Sequence, residues 1–249
     1  MKNIFIPIII TLVYFLLTSC SADSDGNSDV DGQGGSMARF KIAGDYLYTV
    51  DNQTLTTYSI ANPDQPAYMD KTQMDVGVET IFKDGNYLYI GSVLGMYIYD
   101  ISISPGKPVL LSSYTHIVSC DPVVVRNDYA YVTLSAGGEP CWRGVNELQI
   151  VDVHDKKNPK QIYSYPMDGP KGLGYSDTLL FVCDNKLSMF SIADPKKVVP
   201  IETYPLTAYD VIVRDSILIV TAPDGLYQFT FDDGHFLLLS KVYIPFETK

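Results

Sequence analysis

The phrase ELQIVDVHDKKNP at residues 147–159 recurs through this chain, and its period limits what the chain can fold into. An apolar segment of strand length runs into a polar turn that proline closes. The same arrangement returns as LTTYSIANPDQP from Leu55, MYIYDISISPGKP from Met96, LSMFSIADPKKVVP from Leu187 and, in worn form, LYQFTFDDGH from Leu226. A second apolar segment precedes each copy: DYLYTV from Asp45, NYLYIG from Asn86, DYAYVT from Asp128, DTLLFV from Asp177 and SILIVT from Ser216. Aligning Tyr46, Tyr87, Tyr129, Thr178 and Ile217 gives spacings of 41, 42, 49 and 39 residues. A unit of roughly 40–45 residues holding four short strands is a β-propeller blade, which buries both of its faces only against neighbouring blades. The 213 residues from position 37 to 249 hold five such units without remainder. The expectation is therefore all-β: a single β-propeller of five four-stranded blades in one closed ring, with no helical domain. Six blades are the alternative, if residues 28–37 and the C-terminal VYIPFETK add strands.

The strand LQIVDV at residues 148–153, with the Asn-Pro turn after it, resembles the LVIVD-repeat proteins. The resemblance spans about Met37 to the C-terminus. The fourth and fifth copies depart from the pattern, with Met189-Phe190-Ser191 and Gln228-Phe229-Thr230 where the family's name has Val-Asp. What it implies is a propeller, without a particular reaction.

The N-terminus carries an address. Lys2 precedes an apolar run from Ile4 to Leu17, followed by Thr18-Ser19-Cys20. That is a secretory signal, too short and wrongly flanked for a stable membrane span. The Leu-x-Ser-Cys ending resembles the lipobox of bacterial lipoproteins, in which the cysteine is acylated, so Cys20 is the expected lipidation site and a lipid anchor in the bacterial membrane the first partner. Residues 1–19 are then the signal peptide. Residues 20–36, almost free of apolar side chains, form a flexible acidic tether, and residues 37–249 form the propeller. The acidic residues behind Cys20 resemble the signal that sends some lipoproteins outward, so the expected location is the outer membrane, on its periplasmic or its cell-surface face. The chain carries a formal charge of −11, and removing residues 1–19 takes away only Lys2. Such a surface repels phosphate and offers no basic stripe, which excludes nucleic acid as a partner.

Most of the 19 tyrosines fall within the repeats, and Tyr46, Tyr48, Tyr87, Tyr89, Tyr129 and Tyr131 recur in register in the second strands of the first three blades. Recurrence in register argues for packing between blades rather than for a sugar platform. Function is instead sought where the repeat breaks. Tyr48 to Leu55 and Tyr89 to Met96 are seven residues apart, but Tyr131 to Leu148 is seventeen. The insertion, within LSAGGEPCWRGVNE, holds the single tryptophan, Trp142, beside Cys141 and Arg143. Long loops on a rigid scaffold are common binding elements, although Trp142 could equally pin down a decorative insertion. Cys120 opens the third blade on the same face as this loop, and an exported chain meets an oxidising compartment, so a Cys120–Cys141 disulfide is expected. Cys183 is expected to stay a buried free thiol.

Eight positions before each second-strand marker stand Ala38, Glu79, Asp121, Pro170 and Tyr209, and the next positions are Arg39, Thr80, Pro122, Lys171 and Asp210. Glu79 and Asp121 thus occupy equivalent lips of adjacent blades, with Lys171 and Asp210 nearby. Two carboxylates across a channel mouth could act as acid and base in glycoside cleavage or hold a cation, or simply make a wet, charged funnel. No other catalytic pattern appears: the three histidines have no ligand spacing, and the chain has neither a Gly-x-Ser-x-Gly turn nor a phosphate loop. No cofactor, metal site or catalytic residue is assigned. The expectation is an envelope-anchored, non-catalytic binding scaffold that presents Glu79, Asp121, Trp142, Arg143, Lys171 and Asp210 to a glycan or to an envelope protein. The alternative is a glycan-active hydrolase using the mouth carboxylates.

Overall fold

A computed structural model describes residues 35–75, 77–115, 122–136 and 144–244. These residues form twenty strands and no helix. The first blade comprises β1 (Phe40–Ala43), β2 (Tyr46–Asp51), β3 (Thr54–Ser59) and β4 (Ala67–Gln73). The second comprises β5 (Val78–Asp84), β6 (Tyr87–Ser92), β7 (Gly95–Asp100) and β8 (Val109–Thr115), and the third β9 (Val123–Arg126), β10 (Tyr129–Leu134), β11 (Glu147–Asp152) and β12 (Lys160–Pro166). The fourth holds β13 (Leu173–Ser176), β14 (Leu179–Cys183), β15 (Leu187–Ser191) and β16 (Val199–Tyr204), and the fifth β17 (Asp210–Arg214), β18 (Ile217–Ala222), β19 (Gly225–Asp232) and β20 (His235–Tyr243). Each set is one four-stranded sheet whose strands pair in chain order. Five four-stranded antiparallel blades are therefore present, as the period requires. The Val242-Tyr243 pair that might have opened a sixth blade completes the fifth.

The local causes repeat with the sequence. The first hairpin of each blade turns through two residues, and the backbone is left-handed at Gly44, Gly85, Asn127, Asp128, Asp177 and Asp215, residue types that tolerate positive φ. Pairing puts Leu179, not Thr178, opposite Ser191, as Tyr46 lies opposite Ser59 and Tyr87 opposite Asp100. Thr178 therefore belongs to the turn, and the sequence alignment of the fourth blade is one residue out. The polar residue ending each third strand starts the next turn. The oxygens of Ser59, Asp100, Asp152 and Ser191 accept the amide N–H groups of Ala61, Ser102, His154 and Ala193, two residues on. Opposite this strand every blade carries one register slip, between Thr57 and Tyr58, Ile98 and Tyr99, Ile150 and Val151, Met189 and Phe190, and Gln228 and Phe229. A bulge at one fixed place adds twist and swings the outer strand across the blade.

Alternation along the second strands assigns one face to the preceding blade and the other to the following one. Tyr48, Tyr89, Tyr131 and Phe181 point forward and are fully buried. Tyr48 donates its hydroxyl to Pro105 O at 2.9 Å in the next blade, and Tyr131 donates to Pro195 O at 3.4 Å. The tyrosines thus latch the first and third blades to the proline turns of the blades that follow them. Tyr89 is the exception. Lys156 stands where a proline would, its carbonyl accepts Ser112 Oγ, and the Tyr89 hydroxyl has no partner among the described residues.

Apolar clusters fill four seams, joining the first blade to the second, the second to the third, the third to the fourth and the fourth to the fifth. Among the described residues no such cluster joins the fifth blade to the first. Leu88 and Ile90 of β6, which point backward, are fully buried, whereas their counterparts Leu47 and Thr49 in β2 are half-buried. On the forward face of the fifth blade Ile217, Ile219 and Thr221 are likewise half-buried. The seam between the fifth and first blades is filled less densely than the other four, and Thr49 stands where the other blades place Ile90, Val132, Val182 and Val220.

Candidate functional site

The innermost strands of all five blades surround a central cavity of about 300 Å³. Its wall mixes apolar side chains, Phe40, Ile81, Phe82 and Val211 among them, with polar surface, and among the described residues its charged lining residues are Lys41 and Lys83. One end is crossed by residues 35–38. Leu173 N–H donates to Ser36 Oγ at 2.7 Å, Ser36 Oγ donates to the Asp210 carboxylate at 3.3 Å, and Ile81 N–H donates to Ala38 O at 2.9 Å. This segment ties the fourth and fifth blades to the second across the axis. Ser36, assigned from sequence to the tether, is 2% exposed and belongs to the fold. The signal for it was absent, since a serine in a Gly-Ser stretch reads as linker until its partners are known.

Asp210 lies under that segment. Val211 N–H also donates to its carboxylate, and a side chain at Gly35 or Gly172 would collide with it. Burial pushes its pKa up to about 6, against the hydrogen bonds that favour the charged form. Lys171 is close by. Its N–H donates to Cys183 O, its carbonyl accepts Thr133 Oγ1, and its ammonium lies 4.5 Å from the centre of the Tyr209 ring. Asp210 and Lys171 are brought together, both acting electrostatically on the buried Cys183 thiol, whose pKa burial raises. Cys183 is free, as expected.

Glu79 is placed separately. It is the extra residue of a bulge between Val78 and Thr80, which re-aims its side chain out of the ladder. Desolvation raises its pKa while Arg39 opposes the shift. Ser36 thus bonds Asp210 directly, and Arg39 acts on Glu79 electrostatically. Asp121, Trp142, Arg143, Cys120, Cys141 and Cys20 lie outside the described residues. Among the described residues no cluster of three or more metal-ligating side chains occurs.

The signature strand and its bulge recur in all five blades and the polar turn in the first four, and the second blade matches a known family model. Residues 78–116 match the family model of the LVIVD repeat. A comparison with curated protein sequences finds no match. The fold is similar to that of a functionally unknown protein from Desulfotomaculum acetoxidans, with a TM-score of 0.66 and 12% identity over 82% of this chain and 68% of that one. It is similar to the periplasmic gluconolactonase of Pseudomonas aeruginosa, with a TM-score of 0.65 and 15% identity over 81% and 68%. A putative 6-phosphogluconolactonase from Bacteroides fragilis gives 0.64 and 12% over 82% and 69%. At these identities the likeness is one of fold, five propeller blades that superimpose on lactonase-like propellers. Fold alone does not carry an activity across.

Proposed function

We propose that this chain is an envelope lipoprotein, acylated at Cys20, whose LVIVD-repeat propeller is a binding scaffold for a glycan or an envelope protein. The observation that carries the reading is how the described mouth carboxylates are engaged. Asp210 is closed over by Ser36 and two glycine backbones, and Glu79 stands on a bulge in the field of Arg39. Hydrolysis by an acid and a base needs two carboxylates open to one bond and to a water. Binding needs only a stiff disc with variable loops, which the seams and the third-blade insertion with Trp142 and Arg143 supply. A Cys120–Cys141 cross-link would hold that insertion, closing a loop of about twenty residues worth roughly 3 kcal/mol. The protein would stand on the outer membrane, on its periplasmic or cell-surface face.

A second reading, hydrolysis of a sugar lactone or glycan, is supported by the lactonase-like neighbours and by Lys41 and Lys83 in the cavity wall, which suit an anionic sugar acid. One experiment separates the two. Full-length protein in detergent is screened on glycan arrays and against gluconolactone, alongside Trp142→Ala and Glu79→Gln. Binding lost only in Trp142→Ala supports the scaffold, and turnover lost only in Glu79→Gln replaces it with the hydrolase. Cys20→Ala should move the protein from the membrane to the soluble fraction, and retention in the membrane would remove the anchor from the proposal.

A further inference from the structure

A second cavity, of about 250 Å³, opens at the seam between the third and fourth blades. The repeat supplies an internal control for it. At the position where β15 carries Ser188, opposite Val182, the second, third and fifth blades carry Tyr97, Gln149 and Tyr227, opposite Ile90, Val132 and Val220. Each of these long side chains fills its seam and has a bonded polar tip. Tyr97 donates to Asp75 at 2.6 Å, Gln149 accepts from Tyr114 at 2.8 Å, and Tyr227 donates to Asp224 at 3.0 Å. Ser188 is 2% exposed, lines the cavity, and its hydroxyl has no partner among the described residues. The first blade carries a half-buried Thr56 at this position, and the fourth blade keeps the buried socket but lacks the long side chain that fills it in the second, third and fifth blades.

The surroundings of that side chain are also kept. In the neighbouring seam Tyr227 stacks on Phe229 at 6.2 Å, and Tyr204 meets Phe229 edge-on at 4.8 Å. Here Phe190 replaces Phe229, and Tyr165 meets it edge-on at 5.3 Å, so the aromatic frame stands without its third ring. Acceptors wait at the polar end. Asp168 follows Met167 as Asp75 follows Met74, and Asp184, 1% exposed, lines the cavity with it. Asp168 accepts from Asn185 at 2.9 Å and Asp184 from Lys186 N–H at 2.7 Å and from the Asp168 backbone, with Lys186 and Glu202 also in the lining, and the carboxylates keep lone pairs for a further donor.

We infer that this socket binds a phenol, its ring against Phe190 and Tyr165 and its hydroxyl donating to Asp168 or Asp184. The size is sufficient, since an apolar cavity of about 150 Å³ takes up benzene. The phenol can come from a small aromatic alcohol or from a tyrosine that a peptide presents.

Full-length protein in detergent is titrated with p-cresol, toluene and N-acetyl-tyrosinamide by ligand-observed NMR. p-Cresol should bind, and toluene about fivefold more weakly, because it leaves the acceptors unpaired. Ser188→Tyr and Ser188→Gln install the fillers found in the other blades, and each should raise the melting temperature and weaken p-cresol about tenfold or more. Two fillers of different shape guard against one that misfolds. Binding of p-cresol alone assigns the socket to a free small molecule, and binding of the tyrosine amide as well assigns it to a presented tyrosine. Equal affinity for toluene, undiminished binding in a folded filler variant, or no p-cresol binding to the wild-type protein would overturn the inference.

Discussion

Asp210 shows how one side chain can hold an architectural contact at the expense of its own ionisation. Burial under residues 35–38 raises its pKa from 3.8 to about 6, so between those values the folded chain binds more protons than the unfolded one. Stability from this group is then fully present below pH 3.8 and lost as pH rises through 6, a swing of order 2–3 kcal/mol at about 1.4 kcal/mol per pKa unit. Asp210→Asn cannot ionise. The difference in melting temperature, wild type minus variant, should fall between pH 4 and pH 7 along a curve centred near pH 5. A difference independent of pH would show that Asp210 is solvated in the folded state. Ser188 is the converse case, a residue too small for its place in the repeat.

At the scale of the strand, the tyrosine latch separates a group that is bonded from one that is merely buried. Tyr48 and Tyr131 donate across their seams, and burial pushes the Tyr131 hydroxyl up to about 12. Tyr89 is equally buried and unpaired. Tyr48→Phe should leave the Pro105 carbonyl without a donor and cost about 1 kcal/mol, with Tyr131→Phe somewhat less because its bond is longer. Tyr89→Phe removes only an unsatisfied hydroxyl, so denaturant titration should find it neutral or slightly stabilising. A loss for Tyr89→Phe as large as for Tyr48→Phe would mean that a buried water completes the second latch. The recurring bulge belongs to the same scale: one slip per blade at one register keeps all five outer strands coiled alike.

For the whole molecule the decisive feature is the unequal filling of the seams. The three central blades bury both faces, whereas the first and fifth blades each have an inner face that is only half-buried. Leu88→Ala, at a fully buried site, should cost about 2–5 kcal/mol, and Leu47→Ala, its half-buried counterpart, clearly less. Amide exchange should likewise be slower in β6, β10 and β14 than in β2 and β18, because local opening follows the apolar contacts an element must break. Equal protection of β2 and β6 would show that the fifth seam is packed after all.

Fold class, blade number, the turn chemistry and the forward-facing tyrosines were all legible in the chain, because period, alternation and turn residues are local and recur five times. The site was less so. Glu79 and Lys171 were found by position, but the bulge that ejects Glu79 and the ring beneath Lys171 come from pairing between strands and contact between loops. Ser36 sat in a stretch that composition reads as tether. The empty socket at Ser188 could be seen in the sequence only as one serine among larger residues in an aligned column. The chain by itself therefore determined the repeating unit, since each blade is specified by interactions within some forty residues. Only the tertiary structure decided how the units meet, which seam stays thin, which carboxylate is covered and which socket is empty, because those depend on side chains brought together from distant blades.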